Sequence, residues 1–108
     1  MIEGVTVVRW LHSPSGRSKR SERVRKGCYL LDHDACGKFI VGSSDNVSDD
    51  IDRQLAQLAQ GKHPNKRLNG LCERDPEIRI YEYPLESKSA QKALLKQIKA
   101  QAPHLCLN

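Results

Sequence analysis

The amino-acid sequence predicts a small α/β (α+β) fold, a mainly antiparallel sheet flanked by helices with an extra strand at the N-terminus. Three observations carry this expectation. Two short apolar runs, 28–31 and 38–41, flank a polar turn at 32–37 that contains Asp32, Asp34 and Gly37, which is a hairpin signature. Apolar residues recur at helical spacing near 47–60 and 87–101, and they alternate at strand spacing over 77–83.

Taken in order, residues 5–12 are rich in β-branched side chains and read as a strand, ended by Ser13-Pro14-Ser15-Gly16. Trp10, the one tryptophan, reads as partly buried packing rather than a platform for a base. Residues 17–26 hold six cations and one acid, with almost nothing apolar, so they are expected outside the core. Two descriptions fit them equally, a phosphate-gripping arm and a solvated loop.

After the hairpin, Ser43-Ser44-Asp45-Asn46 is expected to cap a helix. There Val47, Ile51, Leu55 and Leu58 share one face as far as Gln60, and Gly61 supplies the stop. Asp49, Asp50 and Asp52 sit near the helix start, where the macrodipole favours negative charge. Residues 65–74 read as a second short helix packing through Leu68, Leu71 and Cys72 and ended by Asp75-Pro76. Over 77–83, Ile78 and Ile80 face one way and Arg79, Tyr81 and Tyr83 the other, until Pro84 ends the strand. A last helix, capped by Ser87, buries Leu94, Leu95, Ile98 and Ala102 and sets Lys88, Lys92, Lys96 and Lys99 along one face. That stripe fits a solvated face at least as well as a nucleic-acid track.

A chain of 108 residues with 38% hydrophobic content builds one modest core. Eighteen Lys and Arg against thirteen Asp and Glu give a net charge of +5, which favours an anionic partner, nucleic acid or an acidic protein surface. No apolar run approaches the roughly 18 residues of a membrane helix, and the N-terminus lacks a cationic, then apolar, leader. A cytoplasmic protein without membrane partners is expected. Cys28, Cys36, Cys72 and Cys106 lack paired spacing and read as free thiols, and a metal set of Cys28, His33 and Cys36 has no such spacing behind it.

The order Gly27-x-Tyr29 on one strand and Ile40-Val41-Gly42-Ser43-Ser44-x-Asn46 on the next, followed by a helix, resembles the GIY-YIG nuclease family. The similarity continues through Gly61-Lys62-His63-Pro64-Asn65-Lys66-x-Leu68 and through Ile98-Lys99, Pro103 and Asn108. It divides the chain into an N-terminal strand and basic arm, 1–26, and a GIY-YIG-like domain, 27–108. The resemblance implies phosphodiester hydrolysis by tyrosines from both hairpin strands, a helix arginine, a His or Tyr after it, and a glutamate holding one divalent metal. Such groups must deprotonate a water and offset charge gathering on the phosphorus.

Carried over, Tyr29 matches the first tyrosine, His63 and Asn65 the middle segment, and Asn108 the last asparagine. The remainder departs. Ile40 stands at the second tyrosine, Asp50 at the arginine with Arg53 one turn on as its substitute, and Leu94 at the metal glutamate. The degenerate catalytic set is then Tyr29, Arg53, His63 and Asn65, with no metal ligand and no cofactor; Mg2+ enters only for an active enzyme.

The expected function is a nucleic-acid-binding or interaction module with lost or weakened catalysis, DNA ahead of RNA. Its grip on phosphates would come from Arg17, Lys19, Arg20, Arg23, Arg25 and Lys26, from Lys62, Lys66 and Arg67, and from Lys88, Lys92, Lys96 and Lys99. An active divergent endonuclease is the alternative. A subunit of a larger assembly with a protein partner, phage-encoded and so in a host cytoplasm, is a further one.

Overall fold

The computed structural model describes residues 6–14, 20 and 22–108. Four strands, β1 (Val8–His12), β2 (Gly27–His33), β3 (Phe39–Ser44) and β4 (Ile78–Pro84), form one sheet in the order β1-β4-β2-β3 with every pairing antiparallel. Three helices, α1 (Val47–Ala59), α2 (Lys66–Arg74) and α3 (Lys88–Gln101), complete the α+β architecture, and the extra N-terminal strand is present as β1. The hairpin forms as expected, with Leu30 opposite Val41 and Leu31 opposite Ile40. No helix is long and apolar enough to cross a membrane.

Alternation along the strands sends side chains to two cores. Leu31, Ile40, Ile78 and Ile80 pack with Val47, Ile51 and Leu55 of α1 and Leu68 of α2. On the opposite face Cys28, Val41 and Tyr83 pack with Leu94 and Ile98 of α3. Burying each such aliphatic side chain contributes about 1.5–3 kcal/mol relative to leaving it in water.

Two expectations are corrected here. Ser43 and Ser44 do not cap α1 but extend β3; Asn46 takes the N-cap position, and its side chain accepts no backbone N–H. The segment 17–26 was expected outside the core, yet Val24 is buried within it. The carbonyls of Val24 and Arg25 accept from the N–H groups of Ser48 and Val47 at 3.0 and 2.7 Å, so backbone from this segment serves the open α1 start that no side chain caps. Gly61 follows α1 with φ +68°, the left-handed turn expected of it.

Beyond α3, the chain returns along the outer edge of β3. Phe39 N–H donates to Leu105 O at 2.9 Å and Leu107 N–H to Phe39 O at 2.7 Å, a short parallel pairing centred on Cys106. Asn108 extends it with its side chain, accepting from Val41 N–H at 3.1 Å and donating to Val41 O at 2.7 Å. A backbone edge that would template pairing with another chain is thereby covered.

Candidate nucleic-acid interface

Of the residues that the resemblance would make catalytic, His63 and Asn65 are joined by a hydrogen bond, and neither Tyr29 nor Arg53 is bonded to them or to each other among the contacts of the described residues. Tyr29 is half-buried on the α1/α2 face, opposite Gly42, and a Cβ on Gly42 would collide with its phenol. Ile40 is core on that face, 4% exposed. Arg53 pairs with Asp50 at 2.8 Å on the surface of α1, so the acid at the arginine position already holds the proposed substitute. Leu94 belongs to the core under α3, across the sheet from Tyr29.

His63 is buried and both ring nitrogens are occupied. Nδ1 accepts from Asn65 N–H at 2.9 Å, which leaves Nε2 as the donor to Gln54 Oε1 at 2.8 Å. Burial lowers its pKa from the usual 6.5 and favours this neutral form. Asn65 caps α2, its Oδ1 accepting from Leu68 N–H at 3.0 Å while Nδ2 donates to Leu107 O at 3.1 Å. Both residues therefore hold the turn into α2 and tie it to the C-terminal segment.

The cysteines do not converge on a metal. Cys36 Sγ lies 3.1 Å from His33 Nδ1, but Cys28 faces the other core and donates to Gln91 O at 3.4 Å. Burial pushes the Cys28 thiol up to about 11, and burial with nearby Cys36 does the same to Cys72. Among the described residues, no group of three or more His, Cys, Asp and Glu side chains is placed to hold a metal ion.

Charge is organised around a residue the sequence reading passed over. Glu82 follows Ile78 and Ile80 at strand spacing and is wholly buried on their face. Its Oε2 accepts from Trp10 Nε1 at 2.6 Å and Arg20 Nε at 2.8 Å, and its Oε1 from the Ser48 hydroxyl at 2.6 Å. That hydroxyl accepts in turn from Val24 N–H at 2.7 Å.

The Arg20 guanidinium lies 4.7 Å from the centroid of the Trp10 ring and reaches Asp52 at 2.9 Å. Burial opposes its charge, but the hydrogen bonds it donates to Asp52 and Glu82, with the charges of those two acids, outweigh burial and hold its pKa above the ordinary value. Arg23 pairs with Asp49 and with Asp52. Of the basic arm, then, Arg20 and Arg23 are spent within the fold, Arg25 and Lys26 are exposed, and Arg17 and Lys19 lie outside the described residues.

The cations of α2 and α3 are placed differently. Every ion pair found among the described residues is made by Arg20, Arg23, Arg53 or Arg79, and none by a lysine. Lys62, Lys66 and Arg67 stand exposed on and before α2, and Lys88, Lys92, Lys96 and Lys99 on α3, the opposite side of the sheet. Lys38, Arg67 and Arg74 border a groove of about 300 Å³ beside α2. In comparison with known proteins, no protein family, no curated protein and no solved structure matches this chain.

Proposed function

We propose that this chain is a nucleic-acid-binding module, a GIY-YIG-like fold whose cleavage chemistry is lost or much weakened. The observation that carries the reading is the separation of charge. Every ion pair found among the described residues is made by an arginine, whereas the described lysines are exposed and form none. Exposed cations that stabilise nothing locally attract phosphate, and binding by them releases counterions. The loss of catalysis is supported by the placement of Ile40 and Leu94 in two different cores and by the engagement of both His63 nitrogens.

An electrophoretic shift on DNA and RNA, each with a magnesium lane, tests both parts. Binding that weakens steeply as salt rises is expected, without cleavage. No shift on either nucleic acid at low salt refutes the binding reading. Cleavage by the unaltered chain that Tyr29→Phe abolishes refutes the loss of catalysis and restores the nuclease reading.

A further inference from the structure

Within α2, Arg67, Gly70, Leu71 and Arg74 follow one another at steps of three, one and three, so they share a side of the helix, and all four line the groove that Lys38 and Leu107 complete. Leu71 and Leu107 are half-buried, while Lys38, Arg67 and Arg74 are exposed. The groove thus has an apolar floor and a cationic rim. None of the three cations forms an ion pair among the described residues.

Gly70 is the anomaly. A glycine inside a helix weakens it relative to alanine, so a fold keeps one there where a close approach or a left-handed backbone demands it. Neither demand exists within this fold. Gly70 is not among the glycines with positive φ, which among the described residues are Gly37 and Gly61, and a Cβ built on it meets nothing within 4 Å. What its missing side chain leaves is open room at the lip of a groove bounded by cations.

We infer that this groove seats a phosphodiester backbone, with sugar against Leu71 and Leu107, phosphates on Lys38, Arg67 and Arg74, and the strand passing close over Gly70. The inference rests on the nucleic-acid reading and gives that reading an address. It also separates α2 from the lysine stripe, because α3 lies across the sheet and a rigid duplex seated on one helix does not reach the other.

Binding is measured by fluorescence anisotropy on labelled duplex DNA and on single-stranded RNA of matched length, beside the thermal midpoint of each variant. Gly70→Ala is expected to raise the midpoint by about 4 °C or more, as a helix gains alanine. The same change is expected to weaken binding at least about fivefold, so stability and affinity move in opposite directions. Arg67→Glu with Arg74→Glu is expected to weaken binding at least about tenfold, and Lys92→Glu with Lys96→Glu, the charge-matched change on the lysine stripe, by a smaller factor.

Equal losses on both probes identify the phosphodiester backbone as the ligand, and a loss confined to one probe identifies that nucleic acid, duplex DNA or single-stranded RNA, as the occupant of the groove. If Gly70→Ala binds as the unaltered chain does, or the α3 pair loses as much as the α2 pair, the groove is overturned while nucleic-acid binding stands. If the unaltered chain binds neither probe, both fall together.

Discussion

The clasp at Glu82 and the groove at Gly70 both adjoin the helices covering one face of the sheet, yet they treat charge in opposite ways. At the clasp, a carboxylate taken out of water is matched by three donors, and the guanidinium that reaches it is shared with Asp52 and stacked on Trp10. At the groove, Lys38, Arg67 and Arg74 face solvent and form no ion pair among the described residues. Arginine suits the first setting because its planar fork bonds two carboxylates at once and its face stacks on indole. The lesson is that net charge alone overstates the cations left free of the fold, since the densest basic run of the chain lends two of its own to ion pairs within it.

The comparison breaks most sharply at Glu82. Replacing it with alanine strands Arg20 without its buried partner and leaves Trp10 and Ser48 without an acceptor. A loss of about 3–5 kcal/mol is expected, as for other severed buried pairs. Urea denaturation measures it, and the folded fraction should still bind nucleic acid. A loss below about 1 kcal/mol would mean that water replaces the clasp. Trp10→Phe is the milder form: it keeps a ring beneath Arg20 but removes the donor to Glu82 Oε2, costing about 1.5–3 kcal/mol for a hydrogen bond to a charged group.

Part of this was legible in the chain and part was not, and the divide follows sequence distance. The periodicities behind α1, α2 and α3 and the hairpin are local, so each segment declares which face it buries. The alternation that placed Ile78 and Ile80 inward also points Glu82 inward, but no neighbour reveals why an acid is tolerated there. Its partners Arg20 and Ser48 lie 62 and 34 residues away.

Val24 was hidden the same way, a single apolar residue within a charged run whose burial depends on the start of α1. The resemblance singled out His63 and Asn65 for chemistry, and the structure gives them cap and turn duties that the resemblance does not mention. The parallel pairing of residues 105–107 with β3 has no local signal, because it joins backbone groups more than 60 residues apart, and the Asn108 side chain extends it.

A smaller effect concerns pH. The buried neutral form of His63 has a pKa below 6.5, whereas in the unfolded chain the ring titrates near that value. Above both values neither state is protonated and stability is full. As pH falls through 6.5 the unfolded state takes up the proton first, so stability declines until the folded-state value is passed. Burial lowers His12 in the same direction. Denaturation midpoints should therefore fall from pH 7.5 to about 5.5, less steeply in His63→Asn, and a slope unchanged by that substitution would free His63 of any part in it.

The smallest expected effect has the opposite sign to the clasp, which makes it the finest test of the contrast. Lys88, Lys92 and Lys96 follow one another at steps of four along α3, so each presses a like charge on the next, and Lys88 in the first turn also opposes the helix dipole. Removing charge here should relieve the fold. Lys92→Gln, which ends two of these repulsions, is expected to raise stability by up to about 0.5 kcal/mol at low ionic strength, and the gain should fade as salt screens the pairs. Lys99 sits in the last turn, where a cation is favourable, and Lys99→Gln should show no such gain. A loss of stability on Lys92→Gln would mean that the stripe supports the fold as the clasp does, and the division of charge between folding and binding would then fail on α3.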